Sequence, residues 1–203
     1  MSSSFQETPR TLRDLAGVSE WTRTEPEGAA VLIIDAQEEY RSGELALGDV
    51  TLALQEISRL RSRAKERRLP VIHIHHIGSR GELFDPETRS GTFCSEAEPL
   101  AGETVIDKRL PNAFAGTDLA ERISALDTRR LIVAGFMTHM CVSSTVRATL
   151  DLGLESAIVA NACATRALPS HEGGVISAND LHAASLAALS DRFAHILPDA
   201  AAI

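Results

Sequence analysis

Three residues far apart in the chain, Asp35, Lys108 and Cys141, could together perform nucleophilic catalysis. A thiol attacks as thiolate; its unperturbed pKa is near ~8.5, and a helix N-terminus or a nearby cation lowers it. A carboxylate at the same place would accept the thiol proton and return it to a leaving amine. An ammonium supplies the cation, and backbone N–H groups at the strand-to-helix turn before Cys141 would hold a developing oxyanion. Each residue alone has a plainer reading: Asp35 as a turn cap, Lys108 as a surface residue, Cys141 as small packing. The chemistry depends on whether the fold gathers them.

The elements that must position them can be read from hydrophobic periodicity. AAVLIIDAQ (29–37) is apolar without alternation, as in a buried strand. Residues 49–70 form an amphipathic helix with Leu52, Leu54, Ile57 and Leu60 on its apolar face, ended by Pro70. LPVIHIHHI (69–77) is the next strand and ETVIDK (103–108) a short third one. A helix over 117–128 has Thr117 as its N-cap. RRLIVAGF (129–136) is strand, HMCVSSTVRATLDLG is helix closing on Gly153, and LESAIVANAC is strand. A helix with Ser177 or Asn179 at its start and a last strand AHILP complete the order. Strands alternating with helices predict a parallel sheet covered on both faces: an α/β, three-layer α-β-α sandwich with six mainly parallel strands and Rossmann-like topology. Ligands bind such sheets at the carboxyl ends of the strands. Asp35 ends the first strand, Lys108 ends the third, and Cys141 follows the fourth. The spacing therefore predicts that all three meet at one rim.

Length and charge bound the rest. The 203 residues suit one domain over 11–203, preceded by a Ser-rich arm over 1–10. Residues 78–102 carry Gly and Pro without periodicity and read as a lid or binding loop. A net charge of −8 argues against a nucleic-acid partner. The basic run Arg59, Arg61, Arg63, Lys65, Arg67, Arg68 reads as a solvated helix face. No run of 18 apolar residues and no secretory h-region is present, so no membrane association is expected. Three cysteines do not make a disulfide framework and suit a reducing, cytoplasmic location.

The stretches VLIIDAQEEY, VIDKRLPNAFAGTDL and VAGFMTHMCVSSTVRATLDLG…VANACATR resemble the isochorismatase-like cysteine hydrolase superfamily, over roughly residues 28–198. That superfamily includes nicotinamidases and N-carbamoylsarcosine, maleamate and ureidoacrylate amidohydrolases. The resemblance implies that Asp35, Lys108 and Cys141 are the catalytic triad. It also implies a cis peptide at Phe136–Met137 that turns the Met137 N–H toward an oxyanion beside that of Cys141. Family members are dimers or tetramers, so a homodimer or homotetramer is implied. Members that cleave the vinyl ether of isochorismate lack the thiol, whereas amide cleavers keep it. Cys141 thus favours C–N hydrolysis of a small amide, carbamoyl or ureido compound through a thioester. A vinyl-ether hydrolase using Asp35 as acid is the alternative, and a non-enzymatic thiol redox sensor or scaffold a third. Asn161 departs from the Asp common in the family's DACATR segment.

Other residues have local readings. His73 and His75, two apart on a strand, share a face and could chelate a metal with a carboxylate such as Asp85; the family's Asp-x-His metal pattern is missing, and no metal or cofactor is expected. His75 or His76 would form a pocket wall or hydrogen-bond donor. His139 would be a helix cap or a second base. Gln37 would bond backbone or Asp35, with Tyr40, Phe84, Phe93 and Phe114 as apolar walls for a small substrate. Arg166 would pin a loop or a subunit contact. Neither Cys94 nor Cys163 is expected to be catalytic.

Overall fold

The computed structural model describes residues 9–18 and 28–203, so most of the expected N-terminal arm lies outside the described residues. Six parallel strands form the main sheet: β1 (Ala29–Ile34), β2 (Val71–His76), β3 (Thr104–Lys108), β4 (Arg130–Phe136), β5 (Glu155–Ala164) and, last in the chain, β8 (His195–Leu197). Their spatial order is β3-β2-β1-β4-β5-β8. The chain winds outward from β1 to β3, returns to β4 beside β1, and winds outward the other way. The carboxyl ends of β1 and β4 thus face each other at the point where the winding reverses, which is where such sheets open a crevice.

Both faces are covered. Val31 and Ile33 point to one side with α3 (Val50–Glu66), while Ala30, Leu32 and Ile34 point to the other with α4 (Leu119–Ala125), α5 (Ser143–Asp151) and α6 (Ala178–Arg192). All six residues of β1 are buried, as its unbroken apolar run requires. Each fully buried Leu or Ile contributes about 1.5–3 kcal/mol of transfer free energy. Two short helices, α1 (Leu12–Leu15) and α2 (Glu39–Ser42), and an antiparallel pair, β6 (Leu168–Pro169) with β7 (Val175–Ile176), were not expected from periodicity. Among the described residues no helix is long and apolar enough to cross a membrane.

Several expectations are corrected. Leu52 is exposed; the buried stripe of α3 is Val50, Ala53, Leu54, Ile57, Leu60 and Ala64, the 3.6-residue repeat that skips position 52. Arg61 is not solvated with the rest of its run. It donates to the carbonyls of Glu96 (2.9 Å) and Glu98 (2.6 Å) and pairs with Glu103 (3.0 Å), clamping the end of the 78–102 segment to α3. The N-cap position of α4 is Asp118, one residue past Thr117, whose hydroxyl donates back to the Ala113 carbonyl.

Candidate active site

β1 stops at Ile34 because Asp35 leaves extended geometry. Its φ is +51°, a left-handed conformation that Asp tolerates better than branched residues. Its N–H still donates to the Ile74 carbonyl (3.0 Å), and its own carbonyl accepts the Gln37 N–H (2.8 Å), closing a tight turn at the rim. On the neighbouring strand, Gly135 has φ +119°, and a Cβ there would sit 2.0 Å from the Ile34 carbonyl oxygen. Only glycine lets β4 approach β1 this closely. The β4–β5 register shifts at the same place, and the Phe136–Met137 peptide is cis. The chain then turns through Thr138–Val142, where the Met137 carbonyl accepts the N–H groups of Met140 (2.9 Å) and Val142 (3.3 Å). The bond reaching five residues on widens the turn, a feature frequent at functional sites. Cys141 sits in this turn, before the regular helix α5 begins.

The structure brings the three distant side chains together. Lys108 Nζ lies 2.7 Å from Asp35 Oδ2 and 3.4 Å from Cys141 Sγ. The carboxylate contact is an ion pair outside hydrogen-bond alignment, and Asp35 Oδ1 is buried with no hydrogen-bond partner. His76 joins them, its Nδ1 2.8 Å from Lys108 Nζ. Asp35, His76 and Cys141 each place one ligand-capable atom within 4.8 Å of the others.

Burial dominates the electrostatics. It pushes the Cys141 thiol up to about 12, with the Asp35 charge adding to the effect and Lys108 opposing it. The expectation of a thiol lowered by a helix end and a cation is therefore corrected: desolvation outweighs the ammonium. Burial also raises the Asp35 carboxyl, against the attraction of Lys108. The resting site holds a neutral thiol beside a carboxylate that is more basic than an ordinary Asp.

A cavity of about 980 Å³ meets this cluster at His76, with Phe84, Ser79, Glu39, Glu82 and Arg109 also in its lining and Asp35, Lys108 and Cys141 behind His76 outside it. That is at the upper end for small-molecule sites. The 78–102 segment forms one wall and is tied down: Cys94 N–H donates to the Ala36 carbonyl (2.9 Å) and Glu38 N–H to that of Thr92 (2.9 Å). Phe84, itself at φ +59°, packs its ring on His76 (4.8 Å) and on Tyr40 (5.3 Å). Tyr40 is buried and also meets Phe136 edge-on.

The remaining candidates lie elsewhere. Gln37 is buried and bonds backbone, donating to the carbonyls of His76 (3.0 Å) and Gly91 (2.8 Å) and accepting from His76 N–H (2.8 Å). His75 points to the other face of β2, where it meets Asp107 (3.0 Å), the Gly91 carbonyl (2.7 Å) and the Phe93 ring; strand parity separates it from the site that His76 joins. His73 pairs with Glu103 (2.8 Å) and Asp85 accepts from the Gly81 and Glu87 N–H groups, so His73, His75 and Asp85 do not converge on a metal. His139 bonds the Thr165 hydroxyl and Phe114 packs on the α4–α6 side of the sheet. Arg166 is exposed. Sequence reasoning missed Thr138 and His182: the Thr138 hydroxyl donates to the Ala164 carbonyl (3.1 Å), and its oxygen lies 2.9 Å from His182 Nδ1, tying the turn to α6. No local pattern around His182 announces this contact.

Comparison with known proteins agrees with the geometry. Residues 29–200 match the family model for the isochorismatase domain. An uncharacterized isochorismatase family protein of Bacillus subtilis is 35% identical over 170 residues, covering 82% of this chain and 94% of that one. A crystal structure of an isochorismatase from Pseudomonas putida superposes with a TM-score of 0.91 at 41% identity, covering 97% of this chain and all of that one. A streptothricin hydrolase of Streptomyces noursei is 30% identical, covering 86% of this chain and 63% of its own length. With a parallel sheet that reverses its winding between Asp35 and Cys141, and a family match spanning nearly its whole length, this chain belongs to the isochorismatase family of hydrolases.

Proposed function

We propose that this chain is a cysteine-dependent hydrolase that cleaves a C–N bond of a small amide, carbamoyl or ureido compound. The observation that carries this reading is Lys108 Nζ in contact with both Asp35 (2.7 Å) and Cys141 (3.4 Å) in a buried site beside the large cavity. Asp35 takes the thiol proton as Sγ attacks the carbonyl carbon, so the thiolate exists only as it forms the new bond. Lys108 balances the Asp35 charge before the attack, and that charge passes to the substrate oxygen as the new bond forms. The N–H groups of Met137 and Cys141 would hold the oxyanion of the tetrahedral intermediate. On collapse Asp35 returns the proton to the nitrogen, the amine or ammonia leaves, and a thioester remains. Water then attacks the thioester with Asp35 again as base, releasing the acid and the thiol. A relative named streptothricin hydrolase supports hydrolytic chemistry of this kind.

The test is an ammonia- or amine-release screen over primary amides, ureido acids and lactams, with the Cys141→Ala protein as control. Turnover that vanishes in the control, with a trapped adduct on Cys141, supports the reading; turnover that survives in the control refutes it. A second reading, vinyl-ether hydrolysis with Asp35 as general acid, is favoured by the isochorismatase description of the 41% identical structure and by the raised Asp35 carboxyl. Activity that survives Cys141→Ser but is lost in Asp35→Asn would select it. Three unpaired cysteines suit a reducing compartment, and the cytoplasm is the proposed location.

A further inference from the structure

Lys108 and Asp35 do not come from neighbouring strands. β2 lies between β3 and β1, so the strands that carry them are two inter-strand spacings apart, about 9.5 Å, and the two side chains meet over the end of β2. The residue at that end is His76, the register partner of Lys108. An ammonium has three hydrogens and no lone pair. Its three close neighbours here are Asp35 Oδ2 (2.7 Å), His76 Nδ1 (2.8 Å) and Cys141 Sγ (3.4 Å). Nδ1 must therefore be the acceptor, which places the imidazole hydrogen on Nε2. Among the described residues no hydrogen bond from Nε2 is found, and His76 lines the large cavity. The cation at the centre of the Asp35, His76 and Cys141 cluster is thus the Lys108 ammonium itself.

We propose that His76 is a positioning residue of this site: its Nδ1 holds the Lys108 ammonium against Asp35 and Cys141, and its Nε2–H faces the cavity to receive a carbonyl or carboxylate oxygen of the substrate. Burial, followed by the charges of Lys108, His75 and Arg109, pushes the imidazole down to about 4. The groups facing it are Lys108 and Arg109 from the end of β3, Asp35 Oδ2 at 4.0 Å after β1, and Cys141 from the turn after β4, while the neighbouring His75 acts on it only through its charge from the other face of β2. The Phe84 ring, 4.8 Å away, fixes its plane from the cavity wall. A neutral acceptor therefore persists through the neutral range, and the ammonium stays aimed at the thiol.

The proposal rests on Cys141, Asp35 and Lys108 forming one reactive unit, and its test needs no substrate. Alkylation of Cys141 by iodoacetamide is followed against pH by peptide mass spectrometry in three variants. His76→Asn keeps an acceptor at the Nδ1 place but loses the Nε2 donor. His76→Phe keeps the ring and loses both, and His76→Gln moves its amide away from Lys108, serving where the Phe variant does not fold. A hydrogen bond to a charged group is worth enough for the loss variants to slow Cys141 alkylation at neutral pH about tenfold or more and to move the profile to higher pH. His76→Asn is expected to remain within about threefold of the parent on the same scale. A parent-like profile in the Phe or Gln variant, or an Asn variant as slow as they are, overturns the proposal. Hydrolysis separates it from the functional reading. With an active substrate, His76→Asn should raise KM more than it lowers kcat, while His76→Phe lowers kcat. An altered alkylation profile without hydrolysis of any amide would leave the positioning role standing and the amidase reading refuted.

Discussion

Replacing Lys108 by Met tests the centre of the argument, because it removes one charge and almost no volume. The lysine side chain and Asp35 are both fully buried, and Lys108 is the largest influence that opposes the desolvation of the Asp35 carboxylate. Without the ammonium, Asp35 faces an uncompensated buried charge. Removing one partner of such a pair costs about 3–5 kcal/mol, whereas removing both can be near neutral. With a urea m-value of about 2 kcal/mol/M, the midpoint should fall by roughly 1.5–2.5 M at pH 7. The sign with pH follows from the direction of the shift. A carboxyl whose folded pKa is raised above its unfolded value stabilises the fold fully below the unfolded pKa, and that contribution is lost as pH rises through the folded pKa. The parent already has this slope, and raising the folded pKa further carries the loss to higher pH in the variant, so the gap between the two widens from pH 5 to pH 7. Urea titrations followed by circular dichroism at both pH values measure it, together with the Lys108→Met, Asp35→Asn double variant. The double variant should recover most of the loss while remaining inactive. A single variant that loses less than about 1 kcal/mol with no pH dependence, far below the range for a broken buried pair, would refute the buried-pair reasoning.

Three further outcomes are expected. Activity requires an unprotonated Asp35, so kcat/KM should fall as pH drops through a value above the ordinary 3.8, with no thiol ionisation near 8.5 on the basic side, because burial holds Cys141 protonated; an initial-rate profile level down to pH 4 would contradict this. Gly135→Ala should cost about 3 kcal/mol or more, since its Cβ would meet the Ile34 carbonyl at 2.0 Å, whereas Gly153→Ala, with open space around it, should cost only about 1 kcal/mol from its positive φ; equal melting temperatures for the two variants would refute the close-approach argument. Native mass spectrometry should find a homodimer or homotetramer, as the resemblance implies, and a monomer at micromolar concentration would count against it.

How much of the site was legible depends on which physical rule governs each residue. Asp35, Lys108 and Cys141 could be placed because strand ends in a parallel sheet share one rim, a rule that needs only the element order. The turn at Asp35 was visible as the end of an apolar run, but not its left-handed backbone, which ended β1 three residues before the expected boundary at residue 37. Strand parity could have divided the two histidines: His76 shares a face with Ile72 and Ile74, while His75 lies with His73, whose partners belong to the other side. The same counting applied to α3 would have removed Leu52 from its apolar face.

What counting could not supply is the local dielectric. A cation and a helix start near a thiol point to a lowered pKa, and the opposite holds here because Cys141 is only 4% exposed and the cation already faces a carboxylate at 2.7 Å. Burial depends on how completely elements from distant parts of the chain close over one atom, and no local window of sequence encodes that. The mechanism changes accordingly. A preformed thiolate would react without help, whereas a neutral thiol beside a basic Asp35 attacks an electrophilic carbon only as its proton leaves. The ammonium then serves a different end from lowering a pKa. It keeps the buried carboxylate ionised enough to act as a base, and its position, fixed across the end of β2, decides whether that base faces the sulfur.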